Sequence, residues 1–285
     1  MLTRRYFLRV LAGLPLLPML PFSAPEVRAE DGGHPRVSTK VTIGEAFAGE
    51  EMQYDIAFWF LKKVAAAKMT FTRGPEKGQY VAALHGETIG LAGFVTRYRR
   101  DTYRAVMEEV EGGRRLRSLS FEEQVRVGDT SRRNTHIFDH KNRKWIGHSV
   151  RKSGAVRTRE RDIPAGQDYN DFLTASYNFR YGVYGAVDRG GMYRVPVFPK
   201  KGVTYYDVKI TSQAEEDRLR ERSAPSRGSE YHIELAMDPE VLQSKKGLIK
   251  GWLTAELYPV EGIIEDVFLF GDVRGTLLKR TKQQR

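Results

Sequence analysis

Large apolar side chains recur at every second residue along most of this chain, and that two-residue period constrains its fold more than any other feature. Tyr54, Ile56, Phe58 and Phe60 share one face, with Gln53 and Asp55 on the other, as in a strand whose successive side chains point to opposite sides. Ala65, Ala67, Met69 and Phe71 repeat the pattern after a turn at Lys62-Lys63, and Tyr80, Ala82 and Leu84 follow the turn Gly74 to Gly78. Gly90 to Tyr98 reads equally as a short helix or an irregular crossing, after which Tyr103, Ala105 and Met107 resume the alternation. Further on, Leu119 to Val127, Arg132 to Phe138, Trp145 to Val150 and the segment bearing Arg157, Arg159 and Arg161 are separated by Gly, Asp and Asn turns. Successive hairpins of this kind make a meander.

One stretch breaks the period. Within Asp168 to Gly185, Tyr169, Phe172, Leu173, Ser176 and Phe179 are spaced by three and four, the helical signature. Asp168 is placed to cap the first turn, and Gly182 to stop the last. Strands return at Tyr193 to Val197, Tyr206 to Ile210, Tyr231 to Leu235, Ile249 to Leu257 and Ile263 onward. The expected fold is therefore mainly β: a curved antiparallel sheet or partly open barrel with one principal helix packed against it.

The amino terminus directs the chain out of the cytoplasm. Arg4-Arg5 precede Tyr6-Phe7-Leu8, as in a twin-arginine export signal. The apolar run Val10 to Phe22 is broken by three prolines and is too short to span a bilayer, which takes about 20 residues. Val27-Arg28-Ala29 offers a cleavage site. The expected organisation is a cleavable leader over 1–29, an irregular arm over 30–48, and a single β-rich domain over 49–278. A charged, mobile excursion is expected at 215–229 and a charged tail at 279–285. The expected location is the periplasm, with no transmembrane segment in the mature chain. The sequence holds no cysteine, which excludes disulfides, thiol catalysis and cysteine-ligated zinc.

Charge is unevenly distributed. Residues 113–162 carry fourteen Lys and Arg against six Asp and Glu, close to the whole basic excess outside the leader. Arg132, Arg133, Arg143, Lys144 and Arg151 make up a candidate anion-binding surface. Nucleic acid is not an expected periplasmic partner, so the candidates are anionic envelope lipids, lipopolysaccharide or acidic glycans.

Catalytic signals are weak. His136, Asp139, His140 and His148 form one histidine cluster, but on a strand and turn it is a poor metal site. No Gly-x-Ser-x-Gly elbow occurs. The neighbouring carboxylates Glu122-Glu123 and Glu265-Asp266 would point to opposite faces of a strand. No catalytic residue, metal or cofactor is expected.

Several features together resemble the domain-of-unknown-function 3108 family of exported bacterial proteins. They are Gly49-Glu50 ahead of the Tyr54-Asp55-Ile56 strand, an alanine-rich second strand, the helix from Asp168 ending in Phe179-Arg180, Trp252-Leu253 with Glu256 and Pro259, and a closing Gly275 to Leu277. The resemblance covers about Phe47 to Leu278 and implies a β-rich periplasmic domain without established catalysis. The leading functional expectation is a non-enzymatic envelope protein that binds an amphipathic or anionic ligand. The alternatives are a structural or adaptor protein that binds another envelope protein, and an unrecognised hydrolase. A continuous apolar cavity favours the first, a flat apolar patch the second, and converging acid, histidine and hydroxyl groups the third.

Overall fold

The structure, a computed structural model, describes residues 41–58, 61–150, 154–199, 202–237, 239–242, 244–267 and 271–283. The leader, residues 30–40 of the arm, Phe60, Arg151 and the last two residues of the tail lie outside the described residues.

The alternating segments form fourteen strands in one antiparallel sheet. In chain order, with the helices between them, they are α1 (Ile43–Phe47), β1 (Glu50–Phe58), β2 (Leu61–Arg73), β3 (Gln79–Thr88), α2 (Gly90–Val95), β4 (Arg100–Val110), β5 (Arg115–Val127), β6 (Thr130–Asp139), β7 (Lys144–Val150), β8 (Val156–Asp162), α3 (Phe172–Tyr181), β9 (Met192–Pro196), β10 (Tyr205–Ile210), α4 (Gln213–Arg222), β11 (Tyr231–Ala236), α5 (Pro239–Leu242), β12 (Leu248–Leu253), β13 (Pro259–Val267) and β14 (Gly271–Lys282). The order across the sheet is β8-β7-β6-β5-β4-β3-β2-β1-β14-β13-β12-β11-β10-β9. The chain thus starts at the centre of the sheet and meanders to the β8 edge. It then crosses through α3 to the β9 edge and meanders back until β14 pairs with β1, Glu50 opposite Lys282.

The sheet curls without closing. Gly251, Gly262 and Gly275 lie opposite one another on β12, β13 and β14. A Cβ on Gly251 would stand 2.4 Å from the Glu261 carbonyl oxygen, so this row lets the strands approach and bend where side chains would hold them apart. The edge strand β8 is exposed along its whole length and rich in charge, which deters pairing with another chain. Near the seam, Phe198 just beyond β9 packs on Phe121, His136, Phe138 and Trp145. Side chains rather than a ladder bring the two halves together.

Helix α3 crosses the concave face and joins two cores. Leu173 and Tyr177 enter one with Ile43, Phe47, Phe71, Met107 and Leu116. Ala175 and Phe179 enter the other with Val195, Val208, Ile210 and Leu253. The helix also completes a strand. Residues 115–119 of β5 have no partner on β6, whose pairing begins at Ser120. There Asn178 accepts from the Leu116 N–H and donates to its carbonyl, both at 2.8 Å, and Asn170 accepts from the Ser118 N–H at 3.0 Å. Buried backbone groups that lack a strand neighbour are satisfied in this way.

Local boundaries differ from the sequence expectation. The cap of α3 is Asp171, which accepts from Leu173 N and Thr174 N, while Asp168 pairs with Arg115 at 2.7 Å. Gly182 ends the helix with φ +82°, as its position predicts. The end of the arm is not irregular, since α1 buries Ile43 and Phe47 beneath α3. The charged excursion holds α4, which starts with a capping box between Ser212 and Glu215. Buried Glu216 anchors that helix by accepting from His232 N and Arg189 Nε. Lys279 to Lys282 are not a loose tail but the last rungs of β14. No helix among the described residues is long and apolar enough to cross a membrane.

Candidate ligand cavity

Antiparallel alternation sorts the connections between the two ends of the curled sheet. Those after β3, β9 and β11, which carry α2, residues 197–199 and α5, lie at one end. Helix α1, helix α4 and both ends of the segment that holds α3 lie at the other. The second end is plugged by α1 and α3. Toward the first end the interior space is bordered by Met237 and Leu242 beside α5.

A cavity of about 450 Å³ occupies that space, within the ~300–1,000 Å³ range of small-ligand sites. Phe172, Ala175, Ser176 and Phe179 make its floor, the helix face opposite to the one that carries Leu173 and Tyr177. One wall comes from β3 to β5 through Leu84, Tyr103, Phe121 and Glu123. The other comes from β9 to β13 through Val195, Tyr206, Val208, Ile233, Leu235, Ile249 and Ile264, and Met237 and Leu242 border it near α5. These walls belong to different halves of the chain, joined through α3, through β1 and β14, and through the packing of Phe198. The lining is almost wholly aliphatic and aromatic.

Its polar groups gather at one place. Tyr103 faces Glu123 across β4 and β5, and the next inward pair is Asp101 with Val125. Val125 in turn stands opposite Arg132, so strand parity puts Arg132 on the cavity face. Burial first, then the charges of Asp101 and Glu123, push the Tyr103 hydroxyl up to about 12, with Arg99 and Arg132 acting in the opposite sense. Arg99 is bound to Asp101 at 2.9 Å, and Glu123 accepts from Asn134 at 3.2 Å. Beyond them the same inward row reaches Ser149 on β7 and Arg157 on β8. The cavity is therefore apolar inside and charged at one rim, where the acids Asp101 and Glu123 stand beside Arg99 and Arg132.

The predicted anion surface is divided by this geometry. Arg133 points outward and pairs with Glu122, whereas its neighbour Arg132 points inward. Arg143 has φ +53° and clips the turn after β8 by donating to the carbonyls of Ile163, Pro164 and Gln167. Lys144 is held by Glu160 and Asp162 at 3.0 and 2.8 Å. Arg133 and Lys144 stand at opposite ends of the β6-β7 hairpin, about 20 Å apart along the strands. Arg151 lies outside the described residues. Of the four among the described residues, Arg132 alone is placed beside the cavity. Arg157 and Arg159, which the sequence puts on one side of a strand, share its inward face.

The histidines separate as well. His136 stacks among Trp145 and Phe198, His140 meets the Ser118 carbonyl at 2.6 Å, and His148 meets Thr158. Ser118, His140 and Asp168 are near neighbours, but the Ser118 hydroxyl is buried and bonded to Asp171 at 2.7 Å. There it holds Asp171, the cap of α3, by donating to its carboxylate and accepting from its N–H. The cavity lining itself was not visible as a site in the sequence, because its residues read only as the inward positions of separate strands.

The profile of the family described as "Protein of unknown function (DUF3108)" matches residues 53–277. No curated protein matches the chain. Among solved structures, the crystal structure of a β-barrel-like protein of domain of unknown function DUF1849 from Brucella abortus aligns with a TM-score of 0.48 and 10% identity, over 84% of this chain and 99% of that one.

Proposed function

We propose that this chain, which belongs to the DUF3108 family of proteins of unknown function, is a non-enzymatic binding protein of the periplasm that holds an amphipathic ligand. The apolar part of the ligand lies in the cavity above α3, and its anionic group meets Arg132 at the rim, with Arg157 and Arg159 beyond. The observation that carries this reading is the 450 Å³ apolar space between two walls. Burying an apolar chain there gains about 25 cal/mol for each Å² removed from water. Arg132, which has no ion pair among the described residues, supplies orientation from one side. Export by the twin-arginine leader, cleaved after Ala29, places the protein among envelope lipids.

The test uses the environment-sensitive probe N-phenyl-1-naphthylamine together with mass spectrometry of lipids that co-purify. Wild-type protein brightens the probe, and the extracted lipids displace it. Ser176→Trp fills the cavity from its floor, a half-buried position, and abolishes the brightening without loss of the folded state. Absence of probe binding by the wild type, or its persistence in Ser176→Trp, refutes the reading.

A further inference from the structure

Helix α2 reverses the usual arrangement of a surface helix. Its small residues pack down and its large apolar residues face water. Leu91 is 79% exposed, Phe94 70%, Val95 74% and the following Tyr98 57%. The spacing of these residues puts them on one side of a single short turn of chain. The surrounding structure holds them there. A Cβ on buried Gly93 would stand 2.9 Å from the Thr88 carbonyl oxygen, so only glycine lets the helix sit this low on the sheet. Thr96 bonds Thr88 and the Ala92 carbonyl, both at 2.7 Å. Arg97 and Tyr98 take φ +57° and +50° to turn the chain back into β4, a conformation that stores strain in residues other than glycine. A tightly specified loop thus presents an apolar tip.

The charges around the tip name its partner. Arg97 and Arg126 are exposed and, with Lys62 at the start of β2, carry no ion pair among the described residues. Nearby Glu87, Asp55 and Asp101 are already paired with Arg100, Lys63 and Arg99, which leaves Asp129 as the opposing acid. An apolar tip accompanied by unpaired cations fits the boundary of an anionic bilayer, where the side chains enter the acyl region and the cations meet headgroups. We infer that α2 docks the protein on an anionic membrane surface, with the Leu91-Phe94-Val95 tip inserted. The tip lies at the same end as α5, whose Leu242 borders the cavity, so docking brings that end of the cavity toward the lipid.

Flotation with vesicles tests this, with protein purified from bacteria that express the whole gene. Wild-type protein floats with phosphatidylglycerol–phosphatidylcholine vesicles and less with phosphatidylcholine alone. Leu91→Ser with Phe94→Ser reduces the bound fraction by about tenfold or more, and its thermal midpoint is unchanged because both side chains are already in water. Arg97→Glu removes the preference for the anionic vesicles. In Phe94→Trp the tryptophan emission moves to the blue on anionic vesicles, relative to the parent protein. Ser176→Trp floats as wild type does, so failure of the cavity reading leaves this inference standing. Flotation that survives the double substitution, or an emission in Phe94→Trp indifferent to vesicles, overturns it. Conversion of an oligomer to a monomer by the double substitution, with no wild-type flotation, assigns the tip to self-association instead.

Discussion

Arg180 on α3 and Glu50 at the start of β1 are joined by two parallel hydrogen bonds, Nη1 to Oε2 at 2.7 Å and Nη2 to Oε1 at 2.9 Å, across 130 residues of chain. Both side chains are almost wholly buried, 3% and 1% exposed. Arg280 on β14 donates a third bond to Glu50 at 2.9 Å, and the Arg180 guanidinium lies 4.7 Å from the Phe47 ring. This group ties α3, α1 and the two central strands together. Its stability depends on every member being present, since an unpaired buried charge is costly.

Glu50→Ala is expected to destabilise the protein by about 3–5 kcal/mol, because it leaves Arg180 buried without its counter-charge. Denaturant unfolding measures this. A loss below ~1 kcal/mol, the scale of an exposed pair, would show that α3 is held by its apolar face alone.

Acid should weaken the same lock. Burial raises the Glu50 carboxyl pKa, but hydrogen bonds and charge from Arg180 and Arg280 outweigh it and hold the group below its ordinary value of 4.5. A folded value below the unfolded one means that the contribution is complete above the ordinary value and is lost as pH falls through the folded value. The stability difference between wild type and Glu50→Gln should therefore shrink as the solution is acidified through that window. A constant difference would place the carboxylate outside the linkage.

Two neighbouring residues of α3 should respond differently to truncation. Leu173→Ala is expected to cost about 2–5 kcal/mol, as for a fully buried leucine. Phe172 is only half buried, meets Tyr103 and Phe121 edge-on at 5.5 Å, and borders the cavity. Phe172→Ala should cost less than Leu173→Ala and enlarge the space for a ligand. The reverse order in equilibrium unfolding would put the apolar cavity on the wrong side of the helix.

Adjacent arginines should likewise part company. Arg132→Glu is expected to weaken binding of dodecyl phosphate about tenfold, or ~1.4 kcal/mol, in titration calorimetry. Arg133→Glu should leave it unchanged, because that side chain is on the outer face with Glu122. Equal effects from the two would mean that a diffuse surface field attracts the ligand, with no defined rim.

Export offers a separate check. Arg4→Lys with Arg5→Lys should hold the precursor in the cytoplasm, because the twin-arginine receptor reads that pair. Cell fractionation measures it. Normal periplasmic accumulation of the variant would remove the twin-arginine assignment while leaving export itself open.

Much of the architecture could be read from order and period. Alternation at Tyr54-Ile56 or Tyr80-Ala82-Leu84 requires only neighbouring residues, and the three-and-four spacing from Phe172 to Phe179 likewise depends on local backbone geometry. The Glu122-Glu123 pair splits as strand parity demands, Glu122 outward to Arg133 and Glu123 inward to Asn134. Even the strand carrying Arg157, Arg159 and Arg161 was legible as one-sided. What the sequence by itself determined is thus most of the strands, the principal helix and the two faces of each strand it marked.

Which face became the inside was decided by the tertiary structure. Arg132 is on the cavity face only because Val125 opposite it lies on the concave side, and the concave side exists only once β1 has paired with β14. The same pairing turned a row of dispersed aliphatic residues into one cavity. It also gave Asp171 rather than Asp168 the cap of α3, since the Ser118 hydroxyl waits beside it. Charge density along the chain pointed to residues 113–162 as one surface. The sheet then sent adjacent side chains to opposite faces, because contacts between distant segments, and not spacing along the chain, set which groups share a solvent.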